Sequence, residues 1–232
     1  MLEKINSYES NKNNLEISPK ILLDKRELYS RKGYRFFKRI IDIIGSLFGL
    51  FLFSPLLAYI AIRIKLEEPK GSILFSQNRV GKNGKVFKMY KFRSMCLDAE
   101  SKLEELLKHN EVDGAMFKMK DDPRITKIGK SIRKNSIDEL PQFWNVLKGD
   151  MSLVGPRPPL IREVKEYTQY DQQRLLVKPG CTGIWQISGR NHVSFSEMVE
   201  MDIDYIRRSS IILDLKIIMK TVLVIIKPNG AY

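Results

Sequence analysis

Residues 43–62 carry no charged side chain over twenty positions, and a proline interrupts the run. As a helix, twenty residues extend about 30 Å, the thickness of the hydrocarbon core of a bilayer. Pro55 follows Ser54 near the middle of the run, removes a main-chain donor and crowds the preceding turn, so the helix is expected to bend there. Arg35, Lys38 and Arg39 precede the run, and Arg63, Lys65 and Lys70 follow it. Basic flanks favour the cytoplasmic side, and here both ends carry them. The pattern predicts a re-entrant segment that enters one leaflet and turns back, with Ser54 bonding a backbone carbonyl near the break. A straight span and the buried helix of a soluble core are the competing readings. Asp42, at the edge of the run, is expected to pair with Lys38 or Arg39 at the interface, because a charge deeper in lipid is costly.

The rest of the chain sets what such a segment serves. Forty Lys and Arg against twenty-seven acids give a net charge of +13, which favours an anionic partner: nucleic acid, phosphorylated substrate or anionic lipid. Two cysteines, Cys96 and Cys181, and two histidines, His109 and His192, fit neither a disulfide framework nor a spaced zinc site. Residues 1–33 are polar, lack the apolar stretch of a secretory signal, and read as a weakly structured arm.

Beyond the apolar run, residues 72–80 and 85–95 have strand character around GKNG, which predicts a β-hairpin. Residues 63–95 hold nine basic side chains against two acids, the most basic stretch of the chain. Helices are expected over 98–110, 126–134, 140–147, 160–173, 196–207 and 213–226, with GDMSLVGPRPP (149–159) as a proline-rich loop. The last helix mixes apolar residues with Asp214, Lys216 and Lys220, so it suits either an interfacial position or packing on a core.

The chemistry is concentrated in RKNSIDELPQFWNVLKGDMSLVGPRP, residues 133–158. Ser136 and Glu139 have capping-box spacing and Pro141 suits an opening turn, so Asp138 and Glu139 are expected at a helix N-terminus, stabilised there as anions. An ionised carboxylate can attack phosphorus or hold a divalent metal. Arg133 before the pair and Arg157 after it can grip phosphate oxygens, and Lys91 on the hairpin can add a point charge. Each piece has a plain structural counterpart: a helix cap, or a loop salt bridge.

These blocks, together with KRIIDI, LFSP, FSQNRVGKNGKVFKMYKFRSM, VKPGCTGIWQISGRN and LDLKII, resemble the bacterial sugar transferases, the monotopic polyprenyl-phosphate phosphoglycosyl transferases. The resemblance runs from about residue 34 to 227 and is to the short, catalytic-domain-only members. It implies an α-rich α/β monotopic membrane protein: a polar arm (1–33), a re-entrant helix (34–66) broken at Ser54-Pro55, and a catalytic domain (67–232) with a small β-hairpin and amphipathic interfacial helices. Its implied place is the cytoplasmic face of the bacterial inner membrane, in contact with membrane lipid.

The implied reaction moves a sugar phosphate from a UDP-sugar to undecaprenyl phosphate and releases UMP, as a membrane step in assembling a surface glycan. By the same resemblance, Asp138 and Glu139 form a catalytic dyad working with Mg²⁺ at Asp138, Asp138 is the nucleophile, and Lys91, Arg133 and Arg157 lie near the phosphates. QISGRN (186–191) is a candidate for nucleotide or sugar contact, and residues 96–124 exceed what the short relatives carry. A non-catalytic scaffold and a membrane-tethered nucleic-acid binder are the rival functions, although no nucleic acid is expected as a partner. The sugar stays unassigned, and a homo-oligomer stays open.

Overall fold

A computed structural model describes residues 22–99, 101, 102, 106, 108, 119, 122–188 and 193–226. The expected helix over 98–110 falls largely outside these residues, as does the second half of QISGRN, 189–191. A short helix, α1 (Lys25–Ser30), is capped by Asp24, whose carboxylate accepts from the Arg26 amide. It belongs to the segment read as a weakly structured arm. Leu23 and Leu28 fasten it to the core around Val154, Tyr205, Ile206 and Ile217.

The apolar run forms two helices, α2 (Lys32–Leu52) and α3 (Ser54–Glu67), bent by 61° at Phe53. Pro55 lies in the first turn of α3, where its missing N–H costs nothing, and the Ser54 hydroxyl donates to the Phe51 carbonyl at 2.7 Å. The bend and its serine contact are as the sequence predicted. No single helix among the described residues is long and apolar enough to cross a membrane; the bent pair together has the length and composition.

The faces of α2 are inverted relative to a soluble core helix. Its buried stripe is Asp42, Ser46 and Gly49, while Phe36, Phe37, Ile44, Leu47, Phe48 and Phe51 are exposed. Small residues bring the backbone close to the domain. A Cβ on Gly45 would sit 2.7 Å from Leu153 Cδ1, and one on Gly49 2.7 Å from Phe143 Cε2.

Strands β1 (Leu74–Val80) and β2 (Val86–Phe92) form the predicted antiparallel hairpin, in register from Leu74 opposite Phe92 to Val80 opposite Val86. Its turn, Lys82–Gly84, places Asn83 (φ 57°) and Gly84 (φ 78°) in the left-handed region that GKNG suits. Helix α4 (Lys127–Lys134), capped by the Thr126 hydroxyl, is followed by a 3₁₀ turn (Ile137–Glu139) and α5 (Gln142–Lys148).

Two expectations need correcting here. The GDMSLVGPRPP stretch contains a strand, β3 (Ser152–Val154), paired in parallel with β4 (Gly180–Thr182). The expected helix over 160–173 is only α6 (Ile161–Lys165), followed by a 3₁₀ segment, Asp171–Leu176. Between them the Asp171 carboxylate accepts from both the amide and the hydroxyl of Thr168, a local turn that competes with helical bonding.

After β4 come the short α7 (Ile184–Ile187), then α8 (Phe195–Arg208), opened by the Ser194–Glu197 capping box, and α9 (Ile211–Ile226). Of the two readings of α9, packing on the core is seen on one face, and the opposite apolar face is exposed. Ile217 is buried in the core, while Ile212, Leu215, Met219, Val222 and Leu223 are exposed. Among the described residues the fold is thus helix-rich, with two two-stranded sheets.

Candidate active site

Three elements bring the basic and acidic candidates together. In α3, Ile60 and Ile64 pack on Phe92 of β2 and Ile132 of α4, and Ile137, the residue before Asp138, joins the same cluster. Buried Asn145 ties α5 to β2, donating to the Lys88 carbonyl at 2.7 Å and accepting from the Tyr90 amide at 2.9 Å. The bent pair, the hairpin and α5 therefore converge on the turn that carries Asp138 and Glu139.

That turn is not the predicted cap. Ser136 adopts a left-handed conformation (φ 54°) and its side chain makes no capping bond, because a capping serine needs an extended backbone. Asp138 and Glu139 lie in the 3₁₀ turn, and α5 starts only after Pro141. A left-handed non-glycine residue costs about 1–3 kcal/mol and must be held by its surroundings.

The turn sends the two carboxylates into different environments. Asp138 is buried, 8 % exposed, whereas the Glu139 side chain is 41 % exposed and pairs with Lys91 at 2.7 Å. Burial pushes the Asp138 carboxyl up to about 6; Lys91 and Arg133 oppose that shift, and Glu139 adds to it. The expectation that a helix terminus would stabilise this anion is overturned: desolvation outweighs the nearby cations.

Lys91, Arg133, Asp138 and Glu139 thus form one constellation. Arg157 stands to one side, paired with Glu163 at 2.9 Å, as the loop salt bridge that was its structural counterpart in the sequence. Asp42 also departs from expectation. It is 3 % exposed and accepts from the Ser152 hydroxyl and the Leu153 amide, both at 2.9 Å, while Lys38 pairs with Asp214 of α9. Asp42 fastens α2 to β3 instead of sitting at an interface.

Sequence reasoning passed over Arg79. It donates to the Pro158 carbonyl at 3.0 Å and to Gln77 at 2.7 Å, and among the described residues its Nε is buried without a hydrogen-bond partner. Burial first, then Arg157, lowers its pKa to about 10, against the pull of Glu163 and Glu139. It therefore links Arg157 to the dyad. The signal lay in the register: with Arg79 opposite Phe87 and Phe75 opposite Lys91, the alternation of a strand puts Arg79 and Lys91 on one face of the hairpin.

On the other face, Tyr90 and Phe92 join Leu50, Leu57, Leu74, Pro141 and Trp144 around an apolar groove of about 300 Å³. Its lining takes Leu50 and Leu57 from either side of the bend of the helix pair, and Pro141, two residues beyond Glu139. Trp144, the largest ring of α5, is 54 % exposed at this groove.

A sequence model of the family described as bacterial sugar transferase matches residues 33–228. The chain belongs to the bacterial sugar transferase family. Galactosyl transferase CpsE of Streptococcus agalactiae is 51 % identical over 208 residues, 88 % of this chain and 46 % of that protein. Undecaprenyl-phosphate galactose phosphotransferase of Salmonella typhimurium is 42 % identical over 91 % of this chain and 45 % of its own length. Exopolysaccharide production protein ExoY of Rhizobium meliloti is 40 % identical over 84 % of this chain and 88 % of its own. The chain spans about half the length of the first two relatives and most of the third.

Membership gives the constellation a chemical context. Asp138 and Glu139 offer hard carboxylate oxygens, and among the described residues no group of three or more acidic, histidine or cysteine side chains forms a metal cage. Such a donor set fits magnesium, which is commonly held by one or two carboxylates together with substrate phosphates. The surrounding cations suit phosphate, and the groove suits an apolar chain.

Proposed function

We propose that this protein is a phosphoglycosyl transferase that moves a sugar 1-phosphate from a UDP-sugar to undecaprenyl phosphate and releases UMP. The observation that carries the reading is a buried carboxylate flanked by Lys91 and Arg133, on a turn that abuts an apolar groove under a bent, outwardly apolar helix pair. A water-soluble phosphate ester and a lipid phosphate can both reach such a place. The names of the Salmonella relative and of the Erwinia amylovora UDP-galactose-lipid carrier transferase, 43 % identical, support the same chemistry. They also make a galacto-configured donor the first to test.

In the first step an Asp138 carboxylate oxygen attacks the β-phosphorus of the donor. The bond from that phosphorus to the bridging oxygen breaks, and UMP leaves with the electron pair. Two anions repel, so Lys91 and Arg133 lower the barrier by holding positive charge where the diphosphate oxygens lie. In the second step a phosphate oxygen of the lipid attacks the same phosphorus, and the Asp138 carboxylate departs, leaving a polyprenyl diphosphate sugar. A magnesium ion held at Asp138, with Glu139 beside it, would supply further charge neutralisation. Glu139 orients Lys91 across their 2.7 Å pair. Arg79 and Arg157 border the site, and Arg157 becomes available to phosphate on release from Glu163.

The exposed aromatic and aliphatic face of α2 lies in lipid in this reading. The pair enters and leaves one leaflet, on the cytoplasmic side of the inner membrane, and the exposed face of α9 rests at the interface.

The test is UMP release from UDP-galactose, UDP-N-acetylgalactosamine and UDP-glucose, using nanodisc-held protein with Mg²⁺ and undecaprenyl phosphate. Release that EDTA and Asp138→Asn both abolish supports the reading. A phosphosugar adduct on Asp138, detected by mass spectrometry when the lipid is omitted, distinguishes the covalent route from direct attack by the lipid. Folded, lipid-bound protein that turns over none of the donors would point to the scaffold role.

A further inference from the structure

A second cavity, of about 230 Å³, lies away from the dyad. It is bounded by α1, the first half of α2, the hairpin turn, β3 and residues 176–178. Helix α5 separates the two places: the dyad precedes its N-terminal end, while Arg39 donates to the Val146 and Leu147 carbonyls at its C-terminal end. Seven helical residues put roughly 10 Å between those ends.

The lining carries Arg35, Lys38, Arg39, Lys82 and Lys178 against one carboxylate, Asp42. That carboxylate is already bonded to Ser152 and Leu153, and Lys38 is already matched by Asp214. Among the described residues the side-chain ammonium groups of Lys82 and Lys178 make no hydrogen bond or ion pair, and that of Lys82 lies over the Tyr29 ring, 5.1 Å from its centre. Lys178 and Arg39 converge: a Cβ on Gly149 would lie 3.3 Å from Lys178 Nζ and 3.6 Å from Arg39 Nη2.

Burial lowers the pKa of both lysines; Arg35 adds to the effect at Lys82, and at Lys178 Arg39 and Lys82 add to it against the pull of Asp42 and Asp150. Arg35 and Arg39 spend part of their donor capacity on the Tyr29, Val146 and Leu147 carbonyls, whereas two lysine ammonium groups without an ion-pair partner beside a void repel their neighbours and lose hydration. An anion in the void would reverse both costs. The volume exceeds many times the roughly 10–15 Å³ that one water needs, leaving room for a phosphate and part of what it is joined to.

We propose that this cavity is a binding site for a phosphate-bearing ligand, separate from the site of transfer and gripped by Lys82, Lys178, Arg35 and Arg39. The shared chemistry is a phosphate with negative charge. Its source is either a lipid headgroup, reached where the exposed Phe36, Phe37 and Ile40 of α2 begin, or a soluble phosphate ester. The assignment does not depend on the transfer activity.

The test reads each lysine separately in the full-length protein. A brief acetylation pulse at mildly alkaline pH, mapped by mass spectrometry, measures the reactivity of Lys82 and Lys178, with Lys91 reporting on the dyad. The pulse is applied with and without inorganic pyrophosphate in detergent, and in nanodiscs of phosphatidylcholine with or without phosphatidylglycerol.

Protection of Lys82 and Lys178 by phosphatidylglycerol identifies a headgroup site, and protection by pyrophosphate identifies a soluble ligand. Lys82→Gln with Lys178→Gln should weaken the binding of whichever anion protects, by roughly fivefold per lysine, and more salt should erode the difference. Unchanged reactivity of both lysines in every arm overturns the proposal, and needs no variant to do so. Protection of Lys91 alone also overturns it, since the anion would then be held only at the dyad.

Discussion

Two aspartates of this molecule are pushed to about the same pKa by the same cause but stand in different surroundings. Asp138 and Asp202 both rise to about 6, chiefly through burial. Asp202 faces Arg174 at 2.8 Å, with side-chain exposures of 1 % and 0 %. Every guanidinium nitrogen of Arg174 is committed, to Asp202, the Tyr167 hydroxyl and the Arg157 carbonyl. Asp138 instead faces Lys91, which is 26 % exposed and shared with a half-exposed Glu139. Burial alone does not make a carboxylate reactive. What distinguishes Asp138 is that Lys91, the first cation acting on it, is partly exposed and held only by a half-exposed carboxylate, so it can turn to an incoming phosphate.

The contrast is most exposed to test at Asp138 itself. Asp138→Asn should lower UMP release by roughly 10⁴-fold or more while thermal melting is retained, because an amide cannot act as the nucleophile but fits the same buried place. If the variant unfolds instead, Asp138 belongs with Asp202. The reverse holds for Asp202→Ala, which strands a buried guanidinium and should cost about 3–5 kcal/mol in urea unfolding. A variant of unchanged stability would show that the Arg174 pair is not structural.

Glu139→Gln sharpens the comparison within the dyad. It keeps the shape and loses the charge that holds Lys91, and turnover should fall by about 10²-fold with little change in melting.

The raised pKa values give a signed pH prediction. Asp138 and Asp202 bind protons more tightly folded than unfolded, so their contribution favours folding at low pH and is lost as pH climbs from about 3.8 to about 6. Activity runs the other way: kcat/KM should fall about tenfold per unit below pH 6 as Asp138 becomes protonated. Asp138→Asn should flatten part of the stability slope and leave the Asp202 part, which chemical denaturation across that range would resolve. The smallest effect is expected in the groove, where Trp144→Ala should raise KM for the lipid acceptor by about tenfold without changing kcat, through loss of apolar contact.

Much of this architecture was legible along the chain, because it rests on local rules. The bend at Ser54-Pro55 follows from a missing donor, and the hairpin from GKNG between two runs of strand character. Helix α4 follows from a capping threonine and α8 from its periodicity. The neighbourhood of Lys91, Arg133, Asp138 and Glu139 was also expected, on the strength of a family resemblance.

What the sequence alone determined is therefore a broken apolar helix followed by a basic hairpin and an acidic pair. Tertiary structure decided how those pieces are used. It turned Ser136 left-handed, so that one carboxylate is buried and the other meets Lys91. It drew Asp42 inward to β3, paired Lys38 with Asp214 instead, and made a parallel strand pair from segments nearly thirty residues apart. It set Arg79 beside Arg157 and gathered five cations around a cavity. The physical reason is that burial and pairing between distant residues depend on which surfaces meet, and a local pattern records only which surface each element offers.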